Sequence, residues 1–255
     1  MNQTKVTIPD LQKAKEEGRK ITMCTAYDYP FGLMADQAGM EVVLVGDSLG
    51  MVVMGLEGTV EVTMENMIHH TRAVVRGCKR PLVIGDLPFM SYNTGHRDAI
   101  INAGRLMKEG GCEAVKLEGG TDFAGTVEAI VKAGIPVQGH VGLTPQTAGA
   151  LGGFKLQGKD ARAALRIIED AKAIEQAGAF SIIIEAVPAP LGRLAAESVK
   201  VPVIGIGAGP DVDGQVLVTH DLIGLFDKFV PKFVKQYVKI RPIILEALGL
   251  YIKEV

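Results

Sequence analysis

The stretch EAVKLEGG, Glu113 to Gly120, begins as a β-strand and carries two charged side chains, Lys116 and Glu118, two residues apart. Residues two apart on a strand point to the same face of a sheet. A cation and an anion are therefore expected side by side on one face. Outward from this stretch, short β-branched runs of the same kind recur along the chain. The others are ITMCTA from Ile21, VVLVG from Val42, LVIGD from Leu82, PVQGH from Pro136, SIIIEA from Ser181, PVIGIG from Pro202 and QVLVTHD from Gln215. With EAVKLEG they make eight candidate strands, most of them apolar almost throughout, as strands covered on both faces must be. Longer segments of helical period separate them, which predicts β-α units and a parallel sheet. Eight such units in 255 residues fit a (β/α)8 TIM barrel, an α/β fold, as a single domain over residues 1–255. An open doubly wound sheet is the alternative.

The clearest helix is predicted from Ala161 to Ala177, with Asp160 as N-cap, Ala164, Ile167, Ile168, Ala171 and Ile174 on one face, and Gly178 as its stop. Thr63 and Thr121 are expected to cap two more helices that end at Gly77 and Gly134. PDLQKAKEEG, before the first strand, reads as a short helix closing one end of the barrel, and IRPIILEALGLYI as a terminal helix. The glycines of GIGAGP, Gly205, Gly207 and Gly209, lack dinucleotide-fingerprint spacing and read as a tight turn where backbone approaches a ligand.

The net charge of -2, with Lys and Arg dispersed, offers no basic stripe for nucleic acid. No run approaches membrane-spanning length and the first residues lack a signal-type apolar core, so a cytoplasmic protein with small-molecule substrates and no membrane partner is expected. Cys24, Cys78 and Cys112 are odd in number and form no C-x-x-C pair, which argues against a disulfide framework or a structural zinc site.

In a TIM barrel the active site lies at the C-terminal ends of the strands. Those ends carry Asp47 and Ser48, Asp86, Lys116 and Glu118, His140, and Glu185. Taken singly, Asp47 and Asp86 read equally well as caps of turns, and His140 reads as a buried, hydrogen-bonded histidine rather than a metal ligand. The group is harder to set aside. A desolvated, unpaired carboxylate costs several kcal/mol, against about 5 to 15 for a whole domain. Four of them at one mouth need protons or cations, and Lys116 meets only part of that need. An all-oxygen donor set points to a hard dication, Mg2+ before Zn2+.

VLVGDSLGMVVMG, VIGDLPFMSY, VKLEGG, PVQGHVGLTPQ and VPVIGIGAGPDVDGQVLVTHD, in that order, resemble the ketopantoate hydroxymethyltransferase family from about Thr22 to Pro231. The resemblance implies a (β/α)8 barrel that transfers a one-carbon unit from 5,10-methylenetetrahydrofolate, as co-substrate, to 3-methyl-2-oxobutanoate, giving 2-dehydropantoate for pantothenate synthesis. It implies Mg2+ at Asp47, Asp86 and Glu118. Asp47, Ser48, Asp86 and Lys116 are implied as substrate contacts, Glu185 as the general base, and a homodecamer as the assembly. Many relatives continue past their last helix, whereas this sequence ends at Val255, a difference expected to bear on closure or assembly and to leave the site residues untouched. The isocitrate lyase and phosphoenolpyruvate mutase group is similar in chemistry, but its K-K-C-G-H type loop does not occur here. A non-catalytic oxo-acid sensor would have no use for Glu185.

Overall fold

The computed structural model describes residues 4–150 and 152–255. Residues 1–3, where the segment read for a leader begins, lie outside the described residues. In chain order the elements are α1 (Ile8–Glu16), β1 (Ile21–Thr25), α2 (Tyr29–Ala38), β2 (Val42–Val45), α3 (Leu49–Val52), α4 (Met64–Gly77), β3 (Leu82–Asp86) and α5 (His96–Arg105). They continue with β4 (Ala114–Glu118), α6 (Ala124–Lys132), β5 (Val137–Gly142), α7 (Ala161–Gln176), β6 (Ser181–Glu185), α8 (Ala189–Ser198), β7 (Val203–Ile206), β8 (Gly214–Leu217), α9 (Thr219–Leu222) and α10 (Ile240–Glu254). The eight strands are parallel and close in sequence order, β8 pairing with β1. The barrel is thus the predicted one, and the open sheet is excluded.

The period of two sorts the side chains. On β3 and β4, Val83, Val115 and Leu117 pack outward in the shell of helices, while Leu82, Ile84 and Ala114 pack inside the barrel. Leu11 and Ala14 of α1 join that inner cluster, so the N-terminal helix closes this end of the barrel as its sequence predicts. α7 carries the expected cap, Asp160 accepting from the backbone of Ala163, and buries Ile167, Ala171 and Ile174. Thr63 likewise caps α4 through the backbone N–H of Asn66.

Two local expectations fail for tertiary reasons. Thr121 caps nothing: its N–H and hydroxyl both donate to Asp170 of α7 at 2.8 Å, and a short 3-10 turn precedes α6. The eighth strand stops at Leu217, because the N–H of Thr219 turns to the hydroxyl of Thr25 (3.0 Å) and Thr219–Leu222 coils into α9. The three cysteines are free and buried. α10 buries none of its residues, leaving Ile243, Leu245, Leu248, Tyr251 and Ile252 more than half exposed.

Candidate active site

The inward rows that are apolar near α1 become ionisable at the other end. Asp86 continues the row of Leu82 and Ile84, and Lys116 and Glu118 continue that of Ala114. Register then sets neighbours: Asp86 lies beside Lys116, and Glu118 beside His140. Lys116 and Glu118, read together from the sequence, do share a face and meet at 3.5 Å. The Lys116 ammonium donates to both oxygens of Asp86 at 2.8 Å. Asp47 follows β2 and joins from the loop, its backbone N–H donating to Asp86 Oδ2 at 3.2 Å. Ser48 hydrogen-bonds the Tyr27 hydroxyl at 2.8 Å. Glu185 ends β6, and its Oε2 lies 3.2 Å from His140 Nε2, while His140 Nδ1 is 3.4 Å from Glu118 Oε1. These two contacts are charge pairs out of line for hydrogen bonds, since neither ring nitrogen has a hydrogen-bond partner. Immediately after Glu185, Ala186 holds a left-handed φ of 48°, an uncommon conformation for a residue with a Cβ.

All six residues expected at the site, Asp47, Ser48, Asp86, Lys116, Glu118 and Glu185, line one cavity that opens at the C-terminal mouth, together with His140. Two further residues hold the group together and were not read from the sequence. Gln146 donates from Nε2 to Asp47 Oδ2 (2.8 Å) and to the Leu87 carbonyl (2.9 Å), and from its backbone N–H to Glu118 Oε2 (3.0 Å). The Tyr92 hydroxyl donates to Gln146 Oε1 at 2.7 Å. Neither is charged, and a glutamine at the end of PVQGHVGLTPQ gives no sign of its partners, which lie 99 and 28 residues away. The GIGAGP turn is tight as expected, with Gly207 and Gly209 at positive φ. Its close neighbour is the ring of Phe233, which a Cβ on Gly207 would meet at 2.6 Å.

A sequence profile of the ketopantoate hydroxymethyltransferase family matches residues 5–255. The chain belongs to this family. Similar family members are the 3-methyl-2-oxobutanoate hydroxymethyltransferases of Moorella thermoacetica, 59% identical over 99% of this chain and 94% of that one, and of Heliobacterium modesticaldum, 57% identical over 98% and 91%. Among solved structures, a 2,3-dimethylmalate lyase of the PEP mutase/isocitrate lyase superfamily superposes with a TM-score of 0.63 over 96% of this chain and 86% of that one. At 13% identity it shares the barrel fold, and that alone.

In this ketopantoate hydroxymethyltransferase family member Asp47 and Asp86 are poorly compensated. Burial pushes the Asp47 carboxyl well above the carboxylate range, and repulsion from Asp86 and Glu118 adds to it. Asp86 is raised by burial as well, against the pull of Lys116. Burial would also raise Glu118, but Lys116 and His140 outweigh it and hold that carboxyl low. Burial alone would lower Lys116 and His140; their carboxylate neighbours prevail, keeping Lys116 above its usual value and moving His140 up to about 9. Asp47 is thus the acid most in want of a cation.

That surplus tests the fit of a metal. Asp47 and Asp86 present carboxylate oxygens, the donors a hard dication takes. Glu118 is already engaged by Lys116, His140 and Gln146. Among the described residues no three acidic, histidine or cysteine groups close around a common point. Such a set suits Mg2+, which keeps waters or substrate oxygens and seldom takes a full protein cage. Among the described residues no helix is long and apolar enough to cross a membrane.

Proposed function

We propose that this barrel mouth carries the family's reaction, transfer of a hydroxymethyl group from 5,10-methylenetetrahydrofolate to 3-methyl-2-oxobutanoate, yielding 2-dehydropantoate for pantothenate synthesis. One observation carries the residue assignment: Asp47, Ser48, Asp86, Lys116, Glu118 and Glu185, spread over 139 positions of sequence, line one cavity.

The C3 proton of a 2-oxo acid is acidic only when charge arriving on the keto oxygen is stabilised. Asp47, Asp86 and Glu118 would hold Mg2+, which when bound would supply a Lewis acid for the keto oxygen. Lys116, already paired to Asp86, sets a fixed positive charge beside the substrate carboxylate. Ser48, bonded to Tyr27, presents its hydroxyl at the same wall. Glu185 is the general base for the C3 proton; its carboxylate is only partly covered, at 15% exposure, and His140 beside Oε2 fixes its position. The C3 carbon then forms its new bond to the one-carbon unit of the folate, and water replaces the folate nitrogen on that carbon, so that tetrahydrofolate leaves carrying the proton and the product gains its hydroxyl. Phe226, Phe229 and Phe233 offer apolar faces to the folate rings at the outer part of the cavity. A homo-oligomer, a decamer in keeping with the family, is the proposed assembly, and the bare apolar face of α10 supports it. Cytoplasmic location is part of the same reading.

The deciding experiment is NMR of 3-methyl-2-oxobutanoate in D2O with the protein and Mg2+ and without folate. Loss of the C3 proton signal that depends on Mg2+ is expected. A signal that persists at its uncatalysed rate would reduce the barrel to a binding protein.

A further inference from the structure

Away from the acids of β2 to β6, the same cavity has a second polar group for which the proton abstraction has no use. Asp221, in the single turn of α9 that follows β8, lines the cavity and is only 7% exposed. Its Oδ1 is buried without a hydrogen-bond partner. Val218, Phe226, Phe229 and Phe233 line the same cavity with it. Phe233 is seated on the backbone of Gly207, where no side chain stands in the way. A buried acceptor left unmade costs free energy that a matching donor on a ligand recovers.

The matching ligand is flat and apolar on its faces, so that it packs among phenylalanine rings, and it carries N–H donors on one edge. The pterin head of a reduced folate has this form, because its lactam N–H and exocyclic amino group lie side by side and can donate together to one carboxylate. We infer that Asp221 anchors the donor edge of the pterin of the one-carbon carrier, between the phenylalanine side chains of the α9–α10 segment, while the keto acid occupies the β2 to β6 side. The inference rests on the proposed reaction and adds to it the residue that selects a pterin.

The test uses the full chain and calorimetric binding, under anaerobic conditions, of tetrahydrofolate and of its 2-desamino analogue, which lacks the exocyclic donor. The wild-type chain is expected to bind tetrahydrofolate at least about tenfold more tightly than the analogue, as a hydrogen bond to a charged group implies. In Asp221→Asn that preference should shrink to less than about threefold, with the KM for methylenetetrahydrofolate rising at least about tenfold and the KM for the keto acid changing less than about twofold. Equal affinity of the wild-type chain for the two ligands overturns the inference alone, and needs no variant to fold. Equal rises in both KM values also overturn it, since they mark a structural role. Failure of tetrahydrofolate to bind the wild-type chain overturns it together with the reaction on which it rests, whereas persistent Mg2+-dependent exchange at C3 would keep the keto-acid half of that reading.

Discussion

At the N-terminal end of the barrel the inward rows carry Leu82 and Ile84 of β3 and Ala114 of β4 under the cover of α1, whereas further along the same rows they carry Asp86, Lys116 and Glu118. Both halves are buried: Ile84 is 0% exposed and Asp86 1%. One half stores stability, because apolar area leaves water; the other consumes it, because carboxylates lose their hydration and crowd one another. Burial depth therefore does not separate a core from a site. What separates them is whether the buried groups are compensated within the chain, and here Asp47 is not.

Four substitutions test this contrast. The largest effect is expected from Glu185→Gln, which should lower turnover by about 100-fold to 10,000-fold in steady-state assays while keto-acid binding by calorimetry persists. Near-normal turnover would remove Glu185 from the role of base. In the apolar half, Ile84→Ala should lower unfolding free energy in denaturant by about 2–5 kcal/mol. Because Ile84 touches no reacting group, kcat per folded molecule should be retained; its collapse would mean the two halves are not separable. Asp47→Asn is the mirror image. It keeps an acceptor for Gln146 but removes the repelled charge, so stability without metal should rise by about 1 kcal/mol while Mg2+ affinity falls at least about tenfold. Equal Mg2+ affinity would take Asp47 out of the metal site.

The smallest effect concerns pH. Burial raises the Asp221 carboxyl from 3.8 to about 6. Between those values the folded state holds a proton that the unfolded state has released, so this group makes stability fall as pH rises from about 4 to about 6 and stay level above. Asp221→Asn should flatten that part of the stability profile measured by denaturant titration without ligand. An unaltered slope would mean that the carboxyl is better hydrated than its burial suggests.

Light scattering addresses the assembly separately, through the exposed face of α10. That face includes Ile243 and Ile252, 58% and 72% exposed. A larger particle for the full chain than for one truncated before Ile240 is expected. Equal particle sizes would show that α10 takes no part in assembly.

Strand periodicity alone determined much of this molecule. Runs such as LVIGD and SIIIE are β-branched and apolar on both faces, which only a covered parallel sheet accommodates, and β3 and β6 occupy the expected residues. The same period of two aligned Lys116 with Glu118, and the strand ends pointed to Asp47, Asp86 and Glu185, because these facts depend on local geometry. Tertiary structure alone decided the rest. Thr121 had the chemistry of a cap but found Asp170, and Thr219 left the ladder for Thr25. Gln146 became the tie between Asp47 and Glu118, and Asp221 was left buried without a donor. The physical reason is common to all four. A polar group bonds to whatever the folded chain brings within about 3 Å, and sequence spacing carries that information only for neighbours a few residues apart.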